Sequence, residues 1–126
     1  PTSITITKEQ YQAGTPIPIT VVINNYDEPK MKVILLNSTY ADIEAPGAQM
    51  MDVNPLAVQQ FIGESGYSYA KAFTVNTNTP INVWAKINTG PGSKTTKIII
   101  IGSQTNARYE VGVTIDKNNE VVIAEP

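Results

Sequence analysis

The sequence contains no cysteine and no histidine among its 126 residues. Without cysteine, the chain can form neither disulfides nor thiolate metal sites. Without histidine, it lacks the usual general base at neutral pH and the most common nitrogen ligand for metal ions. Most hydrolytic mechanisms lose an essential part in this way. We therefore expect a protein with no catalytic residues, no cofactor and no metal site.

Charge and long apolar runs are also scarce. Charged residues make up 16% of the chain, and the formal net charge is −2. This balance gives no electrostatic reason to bind nucleic acid or an anionic membrane surface. No apolar run is long enough to span a bilayer. We therefore expect that the protein binds neither nucleic acid nor membrane. Because the length suits one domain with its own core, we also expect a single domain over residues 1–126.

The first residue is Pro1, and the strand pattern TSITIT follows it directly. A proline in first place is what remains when the initiator methionine is removed from an intracellular product. No basic and apolar leader stands before the strand pattern, so a signal peptide was either removed or never present, and we favour the second reading. On this reading, we expect a protein that is made in the cytoplasm without a secretion signal.

Short strand patterns separated by turn residues run through the sequence, which is typical of an all-β protein. In TPIPITVVINN, side chains of alternate residues share one face and are expected to point into the core: Ile17, Ile19, Val21 and Ile23. Further patterns follow in MKVILLNSTY (31–40), YSYAKAFTVN (67–76), INVWAKIN (81–88) and TTKIIIIG (95–102). The end of the chain reads as a β-hairpin whose turn is DKNN, residues 116–119.

One helix signature interrupts the strands. Asn54 is a typical N-cap, Pro55 suits the first helical position, and Gly63 can end a helix in the left-handed conformation. We therefore predict a short helix from Pro55 to Ile62. Three apolar side chains are expected to dock it: Leu56, Phe61 and Ile62.

The segments SITIT (3–7), GTPIPITVVINN (14–25) and YAKAFTVNTNTPINVWAKINTGPGSKTTKIIII (69–101) carry a family resemblance. Their order resembles the immunoglobulin-like β-sandwich modules of bacteriophage virions and bacterial surface proteins. Over residues 2–102, the resemblance implies an all-β, immunoglobulin-like sandwich with one short inserted helix. An extra C-terminal β-hairpin at 105–126 would pack on this sandwich or on a neighbouring subunit. The missing cysteine pair excludes the antibody-type branch.

The acidic residues Asp42 and Glu44 lie two positions apart, and Asp52 follows closely. Paired carboxylates can serve a glycosidase, and hard oxygen ligands can hold calcium. However, carboxylates mostly sit in solvent, and no loop here follows the alternating acidic pattern of a dedicated calcium site. We expect these residues to be surface charges.

Trp84 lies on the strand face opposite to Val83 and Ala85. An exposed ring at this position would suit a sugar-binding or adhesive role. Alternatively, the terminal hairpin or the short helix covers the ring, because large apolar side chains are rarely left bare. Both interpretations remain open at the level of the sequence.

The run Ile98–Ile101 is apolar on both strand faces, and one of these faces needs a cover besides the sandwich core. The terminal hairpin is a candidate cover because one of its faces is apolar and a lone hairpin is marginal in water. This surplus of apolar surface favours an oligomer or an assembly. The candidate interaction surface comprises Trp84, Ile99, Ile101, Tyr109, Val111, Val113 and Ile115.

These observations together favour a non-enzymatic structural protein. The resemblance implies an accessory protein of a phage virion that decorates or cements the capsid. Such a protein is made in the host cytoplasm and binds the major capsid protein or another virion protein, as a homo-oligomer or within the shell. The alternative is a secreted or cell-surface adhesion module that binds carbohydrate through Trp84. A small glycosidase-like enzyme is a third and weaker hypothesis.

Overall fold

The computed structural model describes residues 3–9, 12, 14–25, 27–37, 43–44, 51–63, 67, 69–102, 104 and 107–124. This part of the chain is all-β apart from one helix, α1, at Pro55–Ile62. Its strands are β1 (Ser3–Lys8), β2 (Ile17–Asn24), β3 (Lys30–Asn37), β4 (Ile43–Glu44), β5 (Met51–Val53), β6 (Tyr69–Asn76), β7 (Ile81–Ala85), β8 (Lys94–Gly102), β9 (Arg108–Ile115) and β10 (Val121–Ala124).

The strands form two antiparallel sheets. A four-stranded sheet has the order β1-β2-β7-β4, and a six-stranded sheet has the order β10-β9-β8-β3-β6-β5. The inner faces of the two sheets pack against each other around one apolar core. This arrangement confirms the predicted all-β sandwich with one short helix.

The central core lies between the two sheets. As predicted, alternate residues of β2 point into it, from Ile17 to Ile23. Strands β3 and β8 contribute their inward residues, and β9 does the same from the other side of β8. The buried members of the central core are Ile17, Ile19, Val21, Ile23, Met31, Val33, Leu35, Phe73, Val83, Ala85, Ile98, Ile100, Val111, Val113, Ile115 and Val121.

A second, outer core lies on the opposite face of the six-stranded sheet, where α1 packs. Val58 and Ile62 of the helix contact the outward residues of β3, β6 and β8. The buried members of the outer core are Ile34, Leu36, Val58, Ile62, Ala70, Ile99 and Ile101. The second face of the isoleucine run is therefore covered by the helix of the same chain.

The sequence suggested that the terminal hairpin covers one face of the run Ile98–Ile101, but the hairpin lies elsewhere. Strand β9 pairs edge to edge with β8, with Ile99 opposite Glu110, so the hairpin continues the six-stranded sheet. Its apolar side chains consequently join the central core and do not lie on Ile99 and Ile101. The predicted turn at residues 116–119 is present, and the amide of Asp116 donates to the carbonyl of Glu120 at 2.9 Å.

The helix has the predicted bounds and caps. The side chain of Asn54 accepts a hydrogen bond from the amide of Leu56 at 2.9 Å, and Gly63 ends the helix with φ 77°. Its predicted docking was right for Ile62 but wrong for Leu56 and Phe61, which are 61% and 68% exposed. The reason is angular: at about 100° per residue, Leu56 lies about 160° around the helix from Val58, and Phe61 lies about 100° from Ile62.

Candidate functional site

The predicted interaction surface divides into core residues and two partly open aromatic side chains. Tyr109 is half-buried and packs against the central core, and Trp84 is half-buried on the outer side of β7. The other members are buried within the single chain: Ile99, Ile101, Val111, Val113 and Ile115. These buried side chains offer no surface to a partner.

Trp84 lies on the outer face of the four-stranded sheet. It follows buried Val83 and precedes buried Ala85, and in register it stands opposite Pro18 of β2. Both elements that were expected to cover it are associated with the other sheet: β9 and β10 are part of it, and α1 packs on its outer side. Neither of them therefore lies over the Trp84 ring.

The residues around Trp84 form a surface that we call the flat polar face. It comprises the outward side chains of β1, β2 and β7: Ser3, Thr5, Thr7, Pro18, Thr20, Val22, Asn24, Asn82 and Trp84. None of these side chains is charged, but Glu44 of the edge strand β4 stands opposite Trp84 in register. Hydroxyl and amide groups predominate, and Trp84 is the single aromatic ring among them.

Hydrogen bonds between neighbouring strands link the side chains of the flat polar face. The hydroxyl of Thr20 donates to Oδ1 of Asn82 at 3.5 Å, and Nδ2 of Asn24 donates to the hydroxyl of Thr5 at 3.3 Å. Such cross-strand contacts restrict the rotamers of these polar groups before any ligand arrives. The sequence analysis did not single out these residues, although the alternation in β1 and β2 already assigned them to one face.

A second exposed surface is the outward side of the helix, which we call the helix patch. It comprises Leu56, Ala57, Gln60 and Phe61, all exposed. The helix sequence PLAVQQFI carries no charged residue. Another large exposed apolar side chain is Val122 on β10, which is 56% exposed.

Of the three acidic residues that were considered for catalysis or calcium binding, the structure places the backbones of Glu44 and Asp52. Asp42 lies outside the described residues. The backbone of Glu44 belongs to β4 of one sheet and that of Asp52 to β5 of the other. Within the described parts of the chain, no group of three acidic side chains is placed to hold a metal ion.

Helix α1 is short. Among the residues with a described structure, no helix has both the length and the apolar character that crossing a bilayer requires.

No protein-family model matches the sequence, and no curated protein or solved structure is significantly similar to the chain. The two exposed surfaces, the helix patch and the flat polar face, are therefore the candidate functional sites.

Proposed function

We propose that this chain is a non-enzymatic structural protein that attaches to a larger protein assembly, most concretely as a phage virion accessory protein that decorates or cements the capsid. The observation that carries the proposal is the helix patch. Leu56 and Phe61 are 61% and 68% exposed, while the same helix buries Val58 and Ile62. Large apolar side chains held outward on an anchored helix are typical of protein-binding surfaces.

The helix patch is suited to a contact that depends little on charge. Between Pro55 and Ile62 the helix has no acidic or basic residue, and the net charge of the chain is only −2. Apolar contacts are not weakened by moderate salt, whereas exposed charge pairs are screened. We therefore expect attachment of the protein to its shell to persist at moderate ionic strength.

We propose that this sandwich has an immunoglobulin-like topology. Such a topology supports the assignment of the chain to the virion modules. The order β1-β2-β7-β4 corresponds to strands A-B-E-D of the immunoglobulin fold, and β9-β8-β3 corresponds to G-F-C. Strands β6 and β5 extend the second sheet beyond β3, as C′ and C″ do in variable-type domains. The chain order departs from the pattern in two ways: β4 precedes β5 and β6, and β5 precedes β6, whereas C′ precedes C″.

The proposal is tested on virus particles purified from the strain that encodes the chain. Mass spectrometry should detect the protein in those particles, and particles that lack it should lose their contents at a lower temperature. Re-addition of the protein should restore heat resistance. The double variant Leu56→Ser, Phe61→Ser should fail to do so, while Val122→Ser serves as a matched control that should succeed. Equal heat resistance with and without the protein would refute the proposal.

A second candidate function is an extracellular or cell-surface adhesion module. The observation that favours it is Trp84, whose half-buried side chain lies on a face that neither α1 nor the terminal hairpin covers. The two candidate functions use opposite sides of the sandwich: adhesion uses Trp84, and attachment to a shell uses the helix patch. Variants on each side can therefore distinguish the two functions.

A further inference from the structure

We infer that the flat polar face is a binding site for neutral carbohydrate, with the indole ring of Trp84 as its stacking surface. This inference rests on the second candidate function and assigns its ligand class. Three properties of the face support it: one rigid aromatic ring, a surrounding set of amides and hydroxyls, and no charged side chain among those of β1, β2 and β7.

The ring of Trp84 is suited to stacking. It is half-buried, so part of the indole is held by the sheet while part remains accessible. A sugar ring presents a face of C–H groups, and an aromatic ring binds such an apolar face through dispersion and burial of area. Because the side chain has only two rotatable bonds, little conformational entropy is lost when it binds.

The groups next to Trp84 match the hydroxyls of a sugar. Asn82 lies two residues before Trp84 on the same strand face, at a spacing of about 7 Å, and Thr20 is its cross-strand neighbour. The Oδ1 atom of Asn82 accepts from Thr20. Within the described part of the chain, Nδ2 of Asn82 donates to no protein group, so both of its N–H groups are available to a ligand hydroxyl.

The charge of the face selects among ligand classes. The side chains of β1, β2 and β7 on this face carry no charge. Glu44 of β4 stands opposite Trp84 in register, and exposed Lys8 and Lys86 lie at the ends of β1 and β7. The face therefore holds no cluster of cations that would pair with the anionic groups of an acidic polysaccharide or a nucleic acid. A protein partner is less well matched because Trp84, Val22 and Pro18 are the only apolar side chains here. A neutral glycan meets both the ring and the polar groups.

The test uses the intrinsic fluorescence of the protein, because Trp84 is its only tryptophan. The probes are soluble cello-, chito-, manno- and malto-oligosaccharides, with alginate as an acidic control. We expect one or more of the neutral glycans to shift the emission to shorter wavelength and to protect the ring from acrylamide, and alginate to do neither. Trp84→Ala should weaken binding about ten-fold or more, as measured by calorimetry.

Two further variants keep the test valid if Trp84→Ala fails to fold. Asn82→Ala and Thr20→Val alter polar groups of the flat polar face and should each weaken glycan binding several-fold. The variant Leu56→Ser, Phe61→Ser should bind glycan normally, because the helix patch is on the opposite side of the sandwich. The inference is overturned if no neutral glycan protects Trp84, or if these changes in the face leave binding intact.

A final experiment distinguishes binding to carbohydrate from adhesion to other components of a cell surface. Bacterial envelope preparations are treated either with periodate, which cleaves sugar diols, or with protease. Loss of binding after periodate alone supports the inference. Loss after protease alone would overturn the carbohydrate assignment but retain an adhesion module. Absence of binding to any preparation, together with absence of glycan protection of Trp84, would overturn both.

Discussion

The side chain of Asn119 pairs with both backbone polar groups of Asn88. Its Oδ1 atom accepts from the amide of Asn88 at 2.6 Å, and its Nδ2 atom donates to the carbonyl of Asn88 at 3.3 Å. Both residues are buried. Nδ2 of Asn88 donates in turn to the carbonyls of Gly92 and Ile115. The pair thus joins the β7–β8 connection to the β9–β10 turn at one end of the sandwich.

The same arrangement occurs at the other end of β7. Oδ1 of Asn78 accepts from the amide of Asn25 at 3.1 Å, and its Nδ2 atom donates to the carbonyl of Asn25 at 3.2 Å. Asn78 and Asn119 also share a left-handed backbone, with φ 61° and 62°. Asparagine tolerates this conformation better than most residues. Each end of the sandwich is therefore closed by one asparagine that acts as a backbone mimic.

Asn119→Ala should lower the free energy of unfolding by about 2 to 3 kcal/mol, because it leaves two buried backbone groups of Asn88 without partners and places alanine in a left-handed conformation. Urea unfolding followed by Trp84 fluorescence measures the change. Asn119→Gly is the control for backbone strain and should cost less than alanine but remain clearly destabilising. A loss below about 0.5 kcal/mol for alanine would contradict the role of the side-chain amide.

Thr96→Val should raise the free energy of unfolding by about 1 kcal/mol. The Thr96 hydroxyl is buried on the inner side of β8 and has no hydrogen-bond partner among the described residues. Valine has the same shape and removes the cost of an unpaired buried hydroxyl. The neighbouring Thr95 is exposed and pairs with the hydroxyl of Thr114 at 3.3 Å, so Thr95→Val should change stability little. Equal effects of the two variants in thermal unfolding would contradict the prediction.

Local chemistry explains which parts of the fold were predictable from the sequence. The helix bounds follow from Asn54, Pro55 and Gly63, whose capping roles depend only on residues within one turn. The inward face of β2 follows from strict alternation between Ile17 and Ile23. Both features are encoded by neighbours in the chain, so no tertiary information is needed to predict them.

Long-range packing explains what was missed. The two faces of Ile98–Ile101 are chemically alike, so the sequence does not reveal that the helix covers one and the opposite sheet the other. Within the helix, Leu56 and Phe61 are larger than Val58, yet only Val58 and Ile62 share the stripe that meets the sheet. The asparagine pairs span 53 and 31 residues and leave no local signature.

Val58→Ala should lower the free energy of unfolding by about 2 kcal/mol, because the side chain is buried in the outer core, where α1 packs on the six-stranded sheet. Leu56→Ala on the same helix should change it by less than about 0.5 kcal/mol, since that side chain is mostly exposed. Chemical unfolding of the two variants provides the comparison. If Leu56→Ala were the more destabilising change, the helix would dock through a different face from the one described here.

Gly102→Ala should be destabilising by about 1 to 3 kcal/mol, as expected for an overpacked site. A Cβ atom at this position would collide with the carboxylate of Glu28, which is buried beside the end of β8. Gly112→Ala is the matched control on β9. Its Cβ would approach the Cβ of exposed Ala124 at 3.3 Å on the outer face of the sheet, a milder contact than the collision at position 102, so its cost should be smaller.

The collision also predicts a coupling between Glu28 and Gly102. Glu28→Ala should itself cost about 1 to 3 kcal/mol, because Oε1 of Glu28 accepts from the amide of Gln104 at 2.7 Å and that amide would lose its partner. The same change removes the atoms that a Cβ at position 102 would strike. The double variant should therefore be more stable than the sum of the single losses by about 1 kcal/mol, as measured by a double-mutant cycle in urea. Additivity within about 0.3 kcal/mol would show that contact with the Glu28 carboxylate is not what requires glycine at position 102.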